Sequence, residues 1–136
     1  MRHQIKVRKL SRTKSHRDAM LANMAISLFD NRTIETTEAR AKELKKIADR
    51  LITTAKKDSL AARREVARTI KNKAVLKKLF NDIIPHFKER QSGFTRVMRV
   101  GYRRGDSAVI SMVELLTPKP KIEKEKTKKE KKVAKN

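Results

Sequence analysis

The sequence predicts a two-layer α+β domain in the order helix, strand, three helices, two strands, its small sheet covered by helices. A basic N-terminal arm precedes the domain and a disordered C-terminal tail follows it. Three observations lead there. Apolar residues recur at helical spacing through most of residues 15–87, the period changes to two after Gly93, and cations gather at both ends. The expected divisions are an arm over 1–14, a globular α+β domain over 15–116 and a Lys/Glu-rich tail over 117–136.

The arm comes first. Arg2, Lys6, Arg8, Lys9, Arg12, Lys14 and Arg17 fall within 17 residues that contain no acid, with Ile5, Val7 and Leu10 spaced among them. Such a segment can order against a surface. Ser15-His16-Arg17-Asp18 has capping-box spacing, so a helix is expected to begin at Ser15 and to carry Leu21, Met24, Ala25, Leu28 and Phe29 on one stripe until Asp30-Asn31. Arg32 to Thr37, β-branched and alternating about Ile34, reads as a strand of about five residues. Thr37 is an N-cap candidate for a second helix with Ala41, Leu44, Ala48, Leu51, Ile52 and Ala55 on one face.

Asp58-Ser59 opens a third helix with Ala62, Val66, Ala67 and Ile70 inward. Asn72 precedes a fourth, with Leu76, Leu79, Phe80, Ile83 and Phe87 inward. Pro85 is expected to kink it or to end its regular part near Ile83. Beyond Gln91-Ser92-Gly93, two alternating stretches read as a hairpin. Phe94, Met98, Val100 and Tyr102 are expected on its inner side, with Ala108, Ile110, Met112 and Leu116 opposite, and Gly105 supplies the positive φ of the turn. Arg104-Gly105-Asp106 is explained by that turn and needs no adhesion role. Met20, Met24, Met98 and Met112 read as core or near-core fillers.

Composition narrows function further. The 136 residues hold 37 Lys and Arg against 15 Asp and Glu, a formal charge of +22. Only 38% of the residues are apolar, below the roughly 45–50% of ordinary domains, so the core must be small. A surplus of this size opposes compaction unless a polyanion absorbs it, and nucleic acid is the commonest one in cells. There is no cysteine, hence no disulfide scaffold or thiolate metal site. Apolar runs are too short for a bilayer span and no signal peptide is apparent. His3, His16 and His86 lie in separate segments, no phosphate-cradling glycine loop is present, and no carboxylate pair stands out for acid/base work. An enzyme, a metal centre, a cofactor and a small-molecule substrate are therefore not expected.

The RNA-binding candidates are Arg2, His3, Lys6, Arg8, Lys9, Arg12, Lys14, Ser15, His16 and Arg17 in the arm and first helical turn, and Arg96, Arg99, Arg103 and Arg104 in the hairpin. Lys56 and Lys57 are weaker candidates. Guanidinium groups bind phosphate bidentately, and a helix N-terminus at Ser15 adds an anion site beside the arm. No strand carries paired aromatics for base stacking, and neither a recognition-helix pair nor a zinc finger appears. Phosphate and shape contacts with folded RNA are the expected mode. The tail after Pro118 holds nine lysines and three glutamates with little to bury and is expected to be disordered when free.

Seven strings carry a resemblance. Met1-Arg2-His3, Arg8-Lys9-Leu10 with Arg12, Ser15-His16-Arg17, Ile34-Glu35-Thr36-Thr37, Ala41-Lys42-Glu43-Leu44, Gly93-Phe94-Thr95-Arg96 and Arg103-Arg104-Gly105-Asp106 stand in register over residues 1–116. In this the chain resembles bacterial large-ribosomal-subunit protein seventeen. The resemblance implies a cytoplasmic structural constituent of the large subunit that binds 23S rRNA near the outer end of the peptide exit tunnel. It also implies support of assembly and translation, and contact with neighbouring proteins including protein thirty-two. In the family the arm lies against RNA, here Arg2, His3, Arg8, Lys9, Arg12, His16 and Arg17. Val7 stands where relatives often have Gly, and the tail lies outside the shared pattern. The alternatives are a nucleoid-type DNA-binding protein, which charge alone permits, and a membrane-surface protein, disfavoured because a packed domain uses the apolar stripes.

Overall fold

The computed structural model describes residues 8–117. Its elements are α1 (Lys14–Asn31), β1 (Thr33–Thr37), α2 (Glu38–Ala55), α3 (Leu60–Thr69), α4 (Lys73–Lys78), β2 (Thr95–Tyr102) and β3 (Val109–Leu115). The three strands form one antiparallel sheet in the order β1-β3-β2. α2 packs against all three strands and α1 against β1 and β3, which gives the two-layer α+β architecture that the periodicities predict. Arg2, His3, Lys6 and the tail beyond Thr117 lie outside the described residues.

α2 is the spine of this arrangement. Its stripe of Ala41, Leu44, Ala48, Leu51, Ile52 and Ala55 is buried as the spacing requires, and the alanines let the sheet approach closely. Leu28 and Phe29 of α1, Val113 and Leu115 of β3, and Phe87 join the same core. Phe87 meets Phe94 edge to face, with ring centroids 5.1 Å apart.

The helix ends follow local chemistry. The Ser59 hydroxyl accepts from the Ala62 N–H at 3.1 Å, so the expected cap of the third helix forms. Asn72 Oδ1 caps the fourth by accepting from the Ala74 N–H at 2.9 Å, whereas Thr37 precedes α2 without a side-chain cap hydrogen bond. The first helix departs from expectation. It starts at Lys14 after an extended Thr13, and the Arg17 N–H donates to the Thr13 carbonyl at 3.0 Å. Ser15 therefore sits inside the first turn and caps nothing. The cause lies upstream. Leu10 and Ser11 both adopt positive φ, closing a tight turn in which Arg12 N–H donates to Lys9 carbonyl, and this turn leaves Thr13 as the last non-helical residue.

After α4 the chain stays helical but changes gauge. A π turn runs over Leu79–Ile83, where Ile84 N–H reaches back to Leu79 carbonyl, and a 3₁₀ turn follows over Ile84–Phe87. Pro85 has no N–H to donate, and widening before it followed by tightening after it absorbs the missing bond. Ile84 keeps helical dihedrals, so the proline distorts the helix without expelling its neighbour.

The hairpin forms, and Phe94 before it is buried as expected, but within the strands the side that faces the helices is the opposite of the expected one. Thr95, Ser111, Val113 and Leu115 are buried and Val97 packs on the core, whereas Met98, Ile110 and Met112 lie outside it. Val100 and Tyr102 are 53% and 76% exposed. Two causes combine. β3 carries apolar residues on both parities, and a register shift between Arg99 and Gly101 leaves Val100 without a partner across the ladder. Met98 and Met112 are thus not core fillers, while Met24 does pack against the core.

Gly105 has φ of +104°, as the turn demands. Asp106 closes that turn by accepting from the Arg103 guanidinium at 2.6 Å and from the Ala108 N–H at 3.2 Å. First the Arg103 hydrogen bond and then the Ala108 one hold its carboxyl down at about 2, against an ordinary 3.8.

Two outcomes are expected. Leu44→Ala, at a fully buried site, should lower the unfolding free energy by about 2–5 kcal/mol in urea denaturation, whereas Leu60→Ala, 64% exposed, should change it by less than about 0.5 kcal/mol. Because the folded carboxyl titrates below the unfolded one, the contribution of Asp106 is complete above pH 3.8 and disappears as pH falls toward about 2. The Ala108 amide shift, followed by NMR, should move through that window in the native chain and lose the transition in Asp106→Asn.

Candidate nucleic-acid interface

The residues that come together as the charge pattern anticipates are those of the arm's end and the first turn of α1. Lys9, Lys14 and His16 are exposed, and Arg12 and Arg17 are half-buried. Lys9, Arg12, Lys14 and Arg17 form no ion pair among the described residues. Arg12 donates to the Leu10 carbonyl at 3.0 Å, which holds its guanidinium against the turn. The Nε atoms of both Arg12 and Arg17 are buried without a hydrogen-bond partner, and such orphan donors are costly to leave unpaired. Thr13 places no side-chain oxygen on the first turn, so the positive end of the α1 dipole faces the same cations. Ser15 is exposed there, contributing backbone N–H rather than a cap. His16 opens onto a groove of about 590 Å³ that Met20, Asn23, Ser27, Glu35 and Arg40 also line.

Arg8 has a different position. Its Nε lies 3.8 Å from Glu43 Oε1, and Lys46 Nζ lies 2.9 Å from the same oxygen. Glu43 is only 3% exposed. A carboxylate that deep in α2 persists because cations neutralise it, so one end of the arm is tied to the core layer. The helical stripe gives no hint of this, since position 43 lies beside Leu44 and reads as a boundary polar residue. Arg32 is a second buried charge outside the sequence reading. It is 7% exposed and donates to Thr117 Oγ1 at 2.7 Å.

The hairpin cations are mostly engaged. Arg96 donates through Nε to Glu114 at 2.7 Å, Arg99 to Glu38 at 3.0 Å and Arg103 to Asp106. Glu38 is held below the ordinary carboxylate range by Lys42 first and Arg99 second, and Arg103 is raised by Asp106. Arg104 alone of the four makes no ion pair among the described residues. Lys56 sits over the Phe94 ring, 5.5 Å from its centroid, so its charge is partly committed. Lys57 is exposed.

Among the described residues, no cluster of three or more His, Asp or Glu is placed to hold a metal, and no helix is long and apolar enough to cross a membrane. The arrangement leaves Lys9, Arg12, Lys14 and Arg17 without a carboxylate among the described residues, while Arg96, Arg99 and Arg103 each hold one.

Residues 20–116 match the family described as ribosomal protein L17. The large ribosomal subunit protein bL17 of Desulforapulum autotrophicum is 48% identical over 116 residues, covering 85% of this chain and 97% of that one. The bL17 of Geobacter metallireducens is 46% identical over 97% of this chain and 71% of its own, and that of Fusobacterium nucleatum 47% over 85% of this chain and its whole length. With the match running from within the first helix through the last strand, the chain belongs to the ribosomal protein L17 family of the large ribosomal subunit.

Proposed function

We propose that this chain binds 23S rRNA through backbone-phosphate and shape contacts made chiefly by the arm and the first turn of α1. In this reading it works in the bacterial cytoplasm as a structural constituent of the ribosome, near the outer end of the peptide exit tunnel, and supports subunit assembly and translation beside protein thirty-two and other neighbours. The observation that carries it is the set of unpaired cations Lys9, Arg12, Lys14 and Arg17 around an uncapped helix start, two of them with orphan Nε donors. The reading also assigns Arg2, His3, Lys6, Arg8 and His16 to the RNA contacts. Arg104 adds a cation at the hairpin tip, while Arg96, Arg99 and Arg103 add less because each already holds a carboxylate. No step is catalysed. Phosphates enter as condensed counterions leave, and the fixed body holds the RNA segments in register.

Titration of the full chain with 23S rRNA in a salt series tests this. Log affinity should fall steeply with log salt, and the Arg12→Gln, Arg17→Gln double variant should flatten the slope by about 1.4–1.8, at about 0.7–0.9 per phosphate. Arg96→Gln should leave the slope within about 0.5 of the parent. A response indifferent to salt, or equal competition by duplex DNA, would contradict an RNA-binding role.

A further inference from the structure

A groove of about 490 Å³ lies between α2 and the sheet, with Val97 and Arg99 of β2 on one side and Ser111 of β3 at its base. Five cations line it, Arg8, Lys42, Lys45, Lys46 and Arg99, against two carboxylates, Glu38 and Glu43. Each carboxylate is already shared. Glu38 Oε1 lies 2.8 Å from Lys42 and 3.0 Å from Arg99, and Glu43 Oε1 lies 2.9 Å from Lys46 and 3.8 Å from Arg8. The groove therefore keeps a positive excess after its internal pairs have formed.

Its base is unusual. Val113 and Leu115 follow Ser111 on the same face of β3 and are apolar, whereas Ser111 is fully buried and its hydroxyl has no hydrogen-bond partner among the described residues. An apolar side chain would fill that place without leaving a polar atom unpaired. The side chains of Arg8, Lys42 and Lys46 beside it are about half exposed and flexible enough to part and turn onto an anion. A backbone phosphate carries a ribose on each side, and both would press on the walls before an oxygen reached the base. A terminal phosphate presents three free oxygens in one direction and meets no such obstacle.

We propose that this groove is a binding site for a terminal phosphate, as in pyrophosphate or a nucleoside diphosphate, with the Ser111 hydroxyl donating to one oxygen while Arg8, Lys45 and Arg99 neutralise the others. Arg8 belongs to the arm and is the most loosely held of the paired cations, so occupancy of the groove draws it from Glu43 to the ligand. The site lies apart from the start of α1 and does not rest on the RNA reading.

Titration of the full chain with pyrophosphate at constant ionic strength, followed by amide NMR, tests this. The Ser111 and Val97 resonances should shift saturably, and Ser111→Ala, read at Val97, should weaken the binding about tenfold, as loss of a hydrogen bond to a charged group does. The Arg12→Gln, Arg17→Gln double variant should leave both shifts in place, which separates a failure here from a failure of the RNA reading. A nucleoside diphosphate and an oligoribonucleotide bearing a 5′-phosphate, titrated in turn, tell a free nucleotide from an RNA end by which moves Ser111 at the lower concentration, and either supports the site. Shifts confined to residues 9–17, unchanged affinity in Ser111→Ala, or equal shifts at Ser111 from the same oligonucleotide without its 5′-phosphate would overturn the assignment. Lys45→Gln, expected to weaken binding about threefold, decides in the same way if Ser111→Ala fails to fold by circular dichroism.

Discussion

Electrostatic self-repulsion is the constraint on which the rest of this structure depends. With 37 cations and 15 acids, carboxylates are scarce, and most of those that pair are placed where two parts of the fold meet. Glu38 holds Lys42 and Arg99 together across α2 and β2, Glu43 holds Lys46 and Arg8, Asp30 holds Lys78, and Glu114 holds Arg96. An exposed pair contributes only about 0–1 kcal/mol, so these contacts do not make the fold. They lower repulsion within the body, and Lys9, Arg12, Lys14 and Arg17 hold no carboxylate among the described residues. Cations without a carboxylate partner among the described residues stand at the arm's end and the first turn of α1, and others lie on the outer sides of α3 and α4.

What makes the fold is the apolar face of α2, which meets all three strands as well as α1 and α3. Its rigidity matters to function because Glu43, on the same helix, is the point to which Arg8 returns. The turn at Leu10 and Ser11 stores strain, since non-glycine residues at positive φ are disfavoured. Within that turn the hydrogen bond to the Leu10 carbonyl holds the Arg12 guanidinium in place. Donors fixed before the ligand arrives lose less side-chain entropy on binding than free ones do, so a tight turn in a cationic segment favours anion capture.

Much of this was legible in the chain. Helices α1 to α3 announce themselves by spacing, and the start of α3 by the cap chemistry of Ser59, because both signals are local. The phase of the hairpin was not legible. Val97 and Met98 are both apolar, as are Met112 and Val113, so a period of two fits either face, and the choice is made by α2 and by the bulge at Val100. Ser15 and Thr13 are both competent to begin a helix, and the turn before them decides. The burial of Glu43 was hidden because a stripe pattern cannot show which flanking polar residue is covered. The cations of the arm could be read from composition, but that Arg96, Arg99 and Arg103 hold internal carboxylates while Arg12 and Arg17 do not is a fact of tertiary geometry.

The arginines thus divide into those of the hairpin that hold carboxylates, Arg96, Arg99 and Arg103, and those beside the start of α1, Arg12 and Arg17, that hold none among the described residues. The most direct measurement of that division is arginine modification by phenylglyoxal, read by mass spectrometry on the free chain and on intact large subunits. The account predicts that Arg12 and Arg17 react in the free chain and are shielded in the subunit, while Arg64 on the exposed side of α3 reacts in both. Equal reactivity of Arg12 and Arg17 in the two states would show that the uncompensated charge faces solvent and would contradict the account.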